Sequence, residues 1–404
     1  MPAERAVFIM SSARPTLTLP ADIDQETFLR DYWQKRPLLM RAALPVDSFS
    51  LAPEELAGLA CEPEFESRLI IEQADGSWTL RHGPFREDEF TQLPDSRWTL
   101  LVQDVDKYLP DVARLLDSFH FVPNWRIDDI MVSYAADQGG VGPHTDAYDV
   151  FLMQAQGRRR WRISDSLYTD DDMIPGLEQR ILSCFEASDE WVLEPGDVLY
   201  LPPGVAHWGT AEGDCMTYSL GFRAPSQLEL ASDWFQHLVA LSDDQRLSDP
   251  RNLSSDSLAE LTSGVYNQAE QLLGALPTTR SRDFQLWLGR YLTEPKAQFQ
   301  ILPPEHQWCM DDLTDSLARG GGLSRHPFAR LAWASLSEDE VVLFYQGESL
   351  LQPASARHAV KQIAERRQFG GGEIAELQPA APAVGELLLR LINEGILEDQ
   401  ELPD

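Results

Sequence analysis

Basic residues are in short supply. The chain of 404 residues carries 33 Lys and Arg against 65 Asp and Glu, a net charge of −32. Such a surface is repelled by phosphate backbones, which argues against direct nucleic-acid binding. It attracts basic partners instead, such as an Arg- and Lys-rich protein. Cysteine is scarce as well. Cys61, Cys184, Cys215 and Cys309 are widely spaced and form no CxxC pair. That excludes a disulfide framework and a thiolate zinc site, and fits a reducing cytoplasm. Long apolar runs are missing: no window approaches the ~18 apolar residues that cross a bilayer, so no membrane role is expected. The opening MPAERAVFIMSSARP has too short an apolar patch for a secretory signal.

What is present suits a large core. The chain is 43% hydrophobic and 9% aromatic, enough for two or three domains. A helix is predicted over 24–36, ended by Pro37. Short β-type runs follow at 67–73, 77–81, 97–103, 130–135, 148–155, 159–164, 191–194, 197–202 and 216–222, punctuated by Gly, Pro and Asp. Many short strands at close spacing predict an antiparallel sandwich or barrel over 1–225. Residues 226–300 read as helical. Ser226 is a cap for a first helix, 257–276 carries an apolar stripe at steps of three and four, and 283–292 is a third helix. Residues 301–404 alternate helix, a strand pair, helix and helix, an order that suggests a winged-helix-like domain. The fold class is therefore α+β.

The stretch PHTDAYDVFLMQAQGRRRWRI, 143–163, carries the chemistry. A His-x-acid pair alone is weak, because a chain with 8 histidines and 65 acidic residues produces one by chance. In a strand, however, residues i and i+2 share a face, which would set His144 beside Asp146. The best third ligand is His207, just beyond the strand and Pro-Pro-Gly turn of VLYLPPGVAHWG. Two imidazoles and one carboxylate leave three coordination positions open, as in non-haem ferrous oxygenases. A zinc hydrolase could use the same set, though no general base stands out beside it.

The arginines add a second clue. A turn at Gln156–Gly157 would make 148–155 and 158–164 a hairpin. On its second strand Arg159 shares a face with Trp161 and Ile163, the apolar face, and so points inward. An unpaired charge there costs several kcal/mol. It needs an internal carboxylate or that of a bound small molecule, which a guanidinium grips bidentately. In CMTYSLGFR, Met216, Tyr218, Leu220 and Phe222 are bulky on one face. Thr217, Ser219 and Gly221 leave room on the other, and Ser133, in IMVSYA, is a candidate to present a hydroxyl.

HTD, YDVFLMQAQGRRRWRI, LYLPPGVAHWG and YSLGFRAP together resemble the JmjC-type 2-oxoglutarate oxygenases. They look most like the bacterial ribosomal oxygenases that hydroxylate an arginine of a large-subunit ribosomal protein. The segment FLRDYWQKRPLLMRAAL, 28–44, is similar to that family's opening, and the resemblance covers essentially the whole chain. It implies a double-stranded β-helix (cupin or jelly-roll) core, then a helical dimerisation unit, then the winged-helix-like tail. It also implies Fe(II) held by His144, Asp146 and His207, 2-oxoglutarate as cosubstrate with its distal carboxylate on Arg159, and O2. Ser133 and Thr217 would assist at the cosubstrate. Related eukaryotic enzymes carry lysine in the place of Arg159, so the arginine matches the bacterial branch. The implied substrate is a basic ribosomal protein, oxidised at the β-carbon of an arginine, and the implied assembly is a homodimer through 226–300. Asp137, Tyr148 and Asp149, close to the ligand stretch, are candidates for the substrate guanidinium.

Three other readings compete. A cupin-like barrel with an inert metal would not need an inward Arg159. A transcription regulator could use the winged helix, but its flanks are acidic. A JmjC-type demethylase shares the chemistry and differs in substrate.

Overall fold

The computed structural model describes residues 15–247, 261–377, 379 and 381–400. The opening stretch read for a signal, and residues 257–260 of the second predicted helix, lie outside the described residues. The chain divides into two compact units, Met1–Ala224 and Pro225–Asp404.

The first unit is built on antiparallel strands: β1 (Leu38–Met40), β2 (Ser67–Glu72), β3 (Trp78–His82), β4 (Trp98–Val102), β5 (Ile127–Ala135), β6 (Asp149–Ser164), β7 (Asp189–Leu193), β8 (Val198–Leu201) and β9 (Ala206–Phe222). They are hydrogen-bonded in the order β1-β8-β6-β9-β5-β4-β2-β3, with β7 beside β6. Short helices α1 (Gln25–Asp31), α2 (Pro53–Leu59), α3 (Glu87–Phe90), α4 (Val105–Tyr108) and α5 (Pro110–Ala113) decorate it. The α1 helix starts where Asp24 accepts the Thr27 amide at 2.7 Å. It ends sooner than its sequence suggests, because Gln34 takes a left-handed φ of 59° before Pro37 is reached.

One face of the sheet packs under the N-terminal helices. Phe151 and Met153 of β6 and Met216, Tyr218, Leu220 and Phe222 of β9 are buried there with Phe28. Full burial of a side chain like Phe28 stabilises by roughly 1.5–3 kcal/mol. The other face holds a second apolar layer, Val150, Leu152, Trp161, Ile163, Leu199 and Leu201, and a cavity.

The predicted hairpin at Gln156–Gly157 is not formed. Residues 149–164 run as one 16-residue strand along β9. The pairing slips between Gln154 and Gln156 and again between Gln156 and Arg158. Opposite residues in a ladder share a face. Leu152 opposes Ser219 before the irregularity and Trp161 opposes Gly209 after it. An even and an odd position of β6 thus face the same way, which only a net one-residue bulge allows. This bulge, not a turn, is what sends Arg159 inward beside Leu152. Gly157 sits within it at φ 62°, and a Cβ there would collide with the Asp214 carbonyl.

The second unit holds α6 (Gln227–Leu241), α7 (Ser263–Gly274), α8 (Arg282–Thr293), α9 (Met310–Ala318), β10 (Gly322–Arg325), β11 (Leu331–Ser335), β12 (Glu340–Tyr345), β13 (Glu348–Pro353), α10 (Arg357–Glu365), β14 (Gln368–Phe369), α11 (Gly371–Glu376), α12 (Pro382–Asn393) and β15 (Leu397–Gln400). Ser226 caps α6 through the Glu229 amide at 3.1 Å. The α6 and α8 helices meet through Trp234 and Trp287, whose rings are 4.9 Å apart. The predicted strand pair is the β11–β12 ladder, extended by β13. The short strands β10, β14 and β15 form a separate three-stranded sheet. Among the described residues no helix is long and apolar enough to cross a membrane.

Gly157→Ala should destabilise the protein by about 1–3 kcal/mol, since it adds both a collision and a strained φ. A denaturant melt checks this, and an unchanged midpoint would mean that the bulge tolerates a side chain.

Candidate metal centre and its cavity

His144, Asp146 and His207 are brought together. One ligand atom from each lies within 4.8 Å of the other two. The Asp146 Oδ2 is 3.9 Å from His144 Nε2 and 3.6 Å from His207 Nε2. The means of convergence differs from a shared strand. His144 forms an isolated bridge to His207, each amide donating to the other's carbonyl at 3.0 and 2.9 Å. Asp146 lies in the loop before β6, where its carbonyl accepts the Gly204 amide at 2.8 Å.

Both rings are oriented from behind. His144 Nδ1 donates to the Gly142 carbonyl at 3.0 Å and His207 Nδ1 to the Val205 carbonyl at 2.9 Å. A carbonyl only accepts, so the proton sits on Nδ1 and the Nε2 lone pairs are free for a metal. Burial, with His144 next to it, pushes His207 down to about 4, so it stays neutral. Two imidazoles and a carboxylate form a donor set suited to a divalent ion with open positions.

Arg159 is 3% exposed. Among the described residues no carboxylate lies within ion-pair distance of it. Its Nη1 donates to Ser133 Oγ and Thr217 Oγ1, both at 3.4 Å, and its Nη2 to the Gly209 carbonyl at 3.5 Å. Its Nε finds no partner. Burial lowers its affinity for the proton, against a small opposing effect of Cys215, but a guanidinium stays charged in proteins. Gly209 makes room for it: a Cβ there would be 2.7 Å from Arg159 Nε and from the Trp161 ring.

The triad and Arg159 line one cavity of about 400 Å³, together with Ser133, Thr217, Ser219 and Gly221. The small face of β9 therefore opens onto it, as the alternation in CMTYSLGFR suggests. The neighbouring arginines point away. Arg160 pairs with Glu190 and Glu212, and Arg162 with Glu190 at 3.1 Å.

The chain matches the JmjC domain family over residues 114–230 and the ROXA-like winged-helix family over 268–398. It is 37% identical over 299 residues to the Escherichia coli ribosomal protein uL16 3-hydroxylase, covering 74% of this chain and 79% of that one. The chain belongs to the JmjC-domain ribosomal oxygenases. A probable ribosomal oxygenase of Haemophilus influenzae is 41% identical over 209 residues, 52% of each protein. The E. coli ribosomal oxygenase YcfD, solved in complex with cobalt and 2-oxoglutarate, superposes with a TM-score of 0.78 at 32% identity. That match covers 96% of this chain and all of that one.

Of the candidates for a substrate guanidinium in this ribosomal oxygenase, only Tyr148 lines the cavity. Asp149 does not. It is fully buried on the other face of β6, held by Arg126 Nη2 at 2.8 Å and by the Tyr200 hydroxyl, which donates at 2.6 Å. Asp137 is not on the cavity wall either. Its carboxylate accepts the Gly213 amide at 2.8 Å and the Gln138 side chain at 3.2 Å, which closes a surface turn. Proximity in sequence misled here because facing alternates along a strand. Besides Asp146 itself, the carboxylates that line the cavity are Glu66, Asp129 and Glu178, all distant from the HTD motif in sequence and carried in no recognisable pattern.

In the metal-free oxygenase, an NMR titration should leave His207 unprotonated from neutral pH down to about 5. The folded state then binds fewer protons than the unfolded chain, whose histidine titrates near 6.5. Metal-free stability should therefore fall as pH drops from about 6.5 through about 4. A His207 resonance titrating near 6.5 would contradict this.

Proposed function

We propose that this oxygenase uses Fe(II), 2-oxoglutarate and O2 to hydroxylate the β-carbon of an arginine in the large-subunit ribosomal protein uL16. One observation carries the reading. A buried cation with no carboxylate partner among the described residues faces the same cavity as a His-Asp-His cluster. His144, Asp146 and His207 would hold the iron. Arg159 would take the far carboxylate of 2-oxoglutarate, with the Ser133 and Thr217 hydroxyls already on its Nη1. When bound, iron and 2-oxoglutarate supply the oxidising chemistry, turning C–H and O2 into C–OH with loss of succinate and CO2. The remaining task of the chain is placement. The apolar layer around Trp161 and Val150 keeps water from the Arg159 end. Tyr148, Asp129 and Glu66 would orient the substrate guanidinium, replacing Asp137 and Asp149 in that role.

The net charge of −32 favours encounter with a basic ribosomal protein, in the cytoplasm where such proteins are made. A homodimer through the helical segment is part of the same proposal. Leu228, Phe235 and Val239 of α6 repeat at helical spacing and are 64–76% exposed, as are Tyr266 and Leu273 of α7 at 62 and 70%. An apolar stripe left open in one copy is what a second copy would cover.

Purified enzyme given Fe(II), 2-oxoglutarate and uL16 should add 16 Da to one arginine peptide. Arg159→Ala should raise the KM for 2-oxoglutarate by about a hundredfold, since it removes a charge-assisted pair. Demethylation of a basic protein without any gain of oxygen on uL16 would instead favour the demethylase reading. Phe235→Asp with Val239→Asp should convert a dimer to monomers in analytical ultracentrifugation, and a wild-type monomer would end the dimer proposal.

A further inference from the structure

Among the described residues, five buried side-chain nitrogen and oxygen atoms that line the cavity have no hydrogen-bond partner. Buried polar groups are nearly always satisfied, so such a concentration calls for a ligand. Arg159 Nε and Trp161 Nε1 belong to the end assigned above to 2-oxoglutarate. The other three, Arg68 Nε, Gln103 Oε1 and Gln179 Nε2, belong to a different wall.

That wall has a regular construction. Arg68 opposes Leu101 in the β2–β4 ladder, and the Gln103 amide donates to the Glu66 carbonyl at 2.9 Å. Alternate residues of a strand share a face, so Glu66, Arg68, Leu101 and Gln103 all look into the cavity. Gln179 comes from the segment between β6 and β7. That segment is tied to β3 by His82 Nε2 and Glu178 Oε1, 3.1 Å apart. The Arg68 guanidinium makes no hydrogen bond or ion pair within the described residues, although Glu66 and Asp129 line the same cavity.

We infer that Arg68, Gln103 and Gln179 grip the main chain of the polypeptide segment that carries the target side chain to the metal centre. The inference rests on the oxygenase reading above. The unsatisfied atoms are two donors and one acceptor. Peptide carbonyls match the donors Arg68 and Gln179, and a peptide N–H matches the Gln103 oxygen. Main-chain recognition holds an extended segment in register whatever its side chains, while Tyr148, Asp129 and Glu66 read the one residue that enters.

The test uses the full-length enzyme with Fe(II), 2-oxoglutarate and either uL16 or a synthetic uL16 peptide spanning the oxidised arginine. Arg68→Met and Gln103→Met should each raise the KM for uL16 by about tenfold, the worth of one lost hydrogen bond to a partly buried group. The KM for 2-oxoglutarate should move less than about twofold. Gln103→Glu keeps an acceptor oxygen in place and should restore most of the lost affinity. In a series of peptides N-methylated at one amide each, one position should weaken binding to the wild type about tenfold and add nothing in Gln103→Met. An unchanged uL16 KM in the Met variants overturns the inference. So does an equal rise in both KM values, or an N-methyl penalty that persists in Gln103→Met. Failure of the wild type to oxidise uL16 overturns the functional reading instead.

Discussion

The structure is organised around one costly charge. Arg159 is buried with no carboxylate beside it among the described residues, its Nη1 hydrogens shared between two hydroxyls at 3.4 Å and its Nε unsatisfied. Replacing it by a well-packed apolar residue would favour stability. Its presence makes physical sense if an anion arrives to complete it. The surroundings are adapted to keep it there. The bulge at Gly157 turns the second half of β6 by one residue, Gly209 leaves space for the guanidinium, and Thr217 and Ser133 supply the flanking oxygens.

The candidate metal ligands obey the same logic of support from behind. Each imidazole is pinned by a backbone carbonyl two residues upstream, and the two residues pair through their own backbones. The rings therefore keep their tautomer and direction through the backbone behind them. Burial keeps His207 neutral, which removes a proton that a metal would otherwise have to displace. Asp146 is placed by a loop closed onto Gly204. The three ligands thus come from two segments held together by backbone hydrogen bonds.

Much of this was legible beforehand, and the failures have physical causes. His144, Asp146 and His207 stand in motifs specific enough to be read together, and the inward direction of Arg159 followed from its apolar neighbours Trp161 and Ile163. The route was misjudged. A Gln-Gly pair reads as a turn, but it also suits a bulge, and only pairing with β9 decides between them. Asp149 was misread because it stands beside the motif, and its buried Arg126 partner is 23 residues away in sequence. Asp129, Glu66, Arg68 and Gln103 carry no local pattern at all. They meet the metal centre only because β2, β4 and β5 extend the same sheet.

The most direct measurement is a crystal structure of the protein grown anaerobically with Mn(II) in place of iron and with 2-oxoglutarate. The account predicts one anomalous peak bonded to His144 Nε2, His207 Nε2 and an Asp146 carboxylate oxygen, with the far carboxylate of the diacid on the Arg159 guanidinium. Metal bound elsewhere, or a diacid whose far end avoids Arg159, would contradict it.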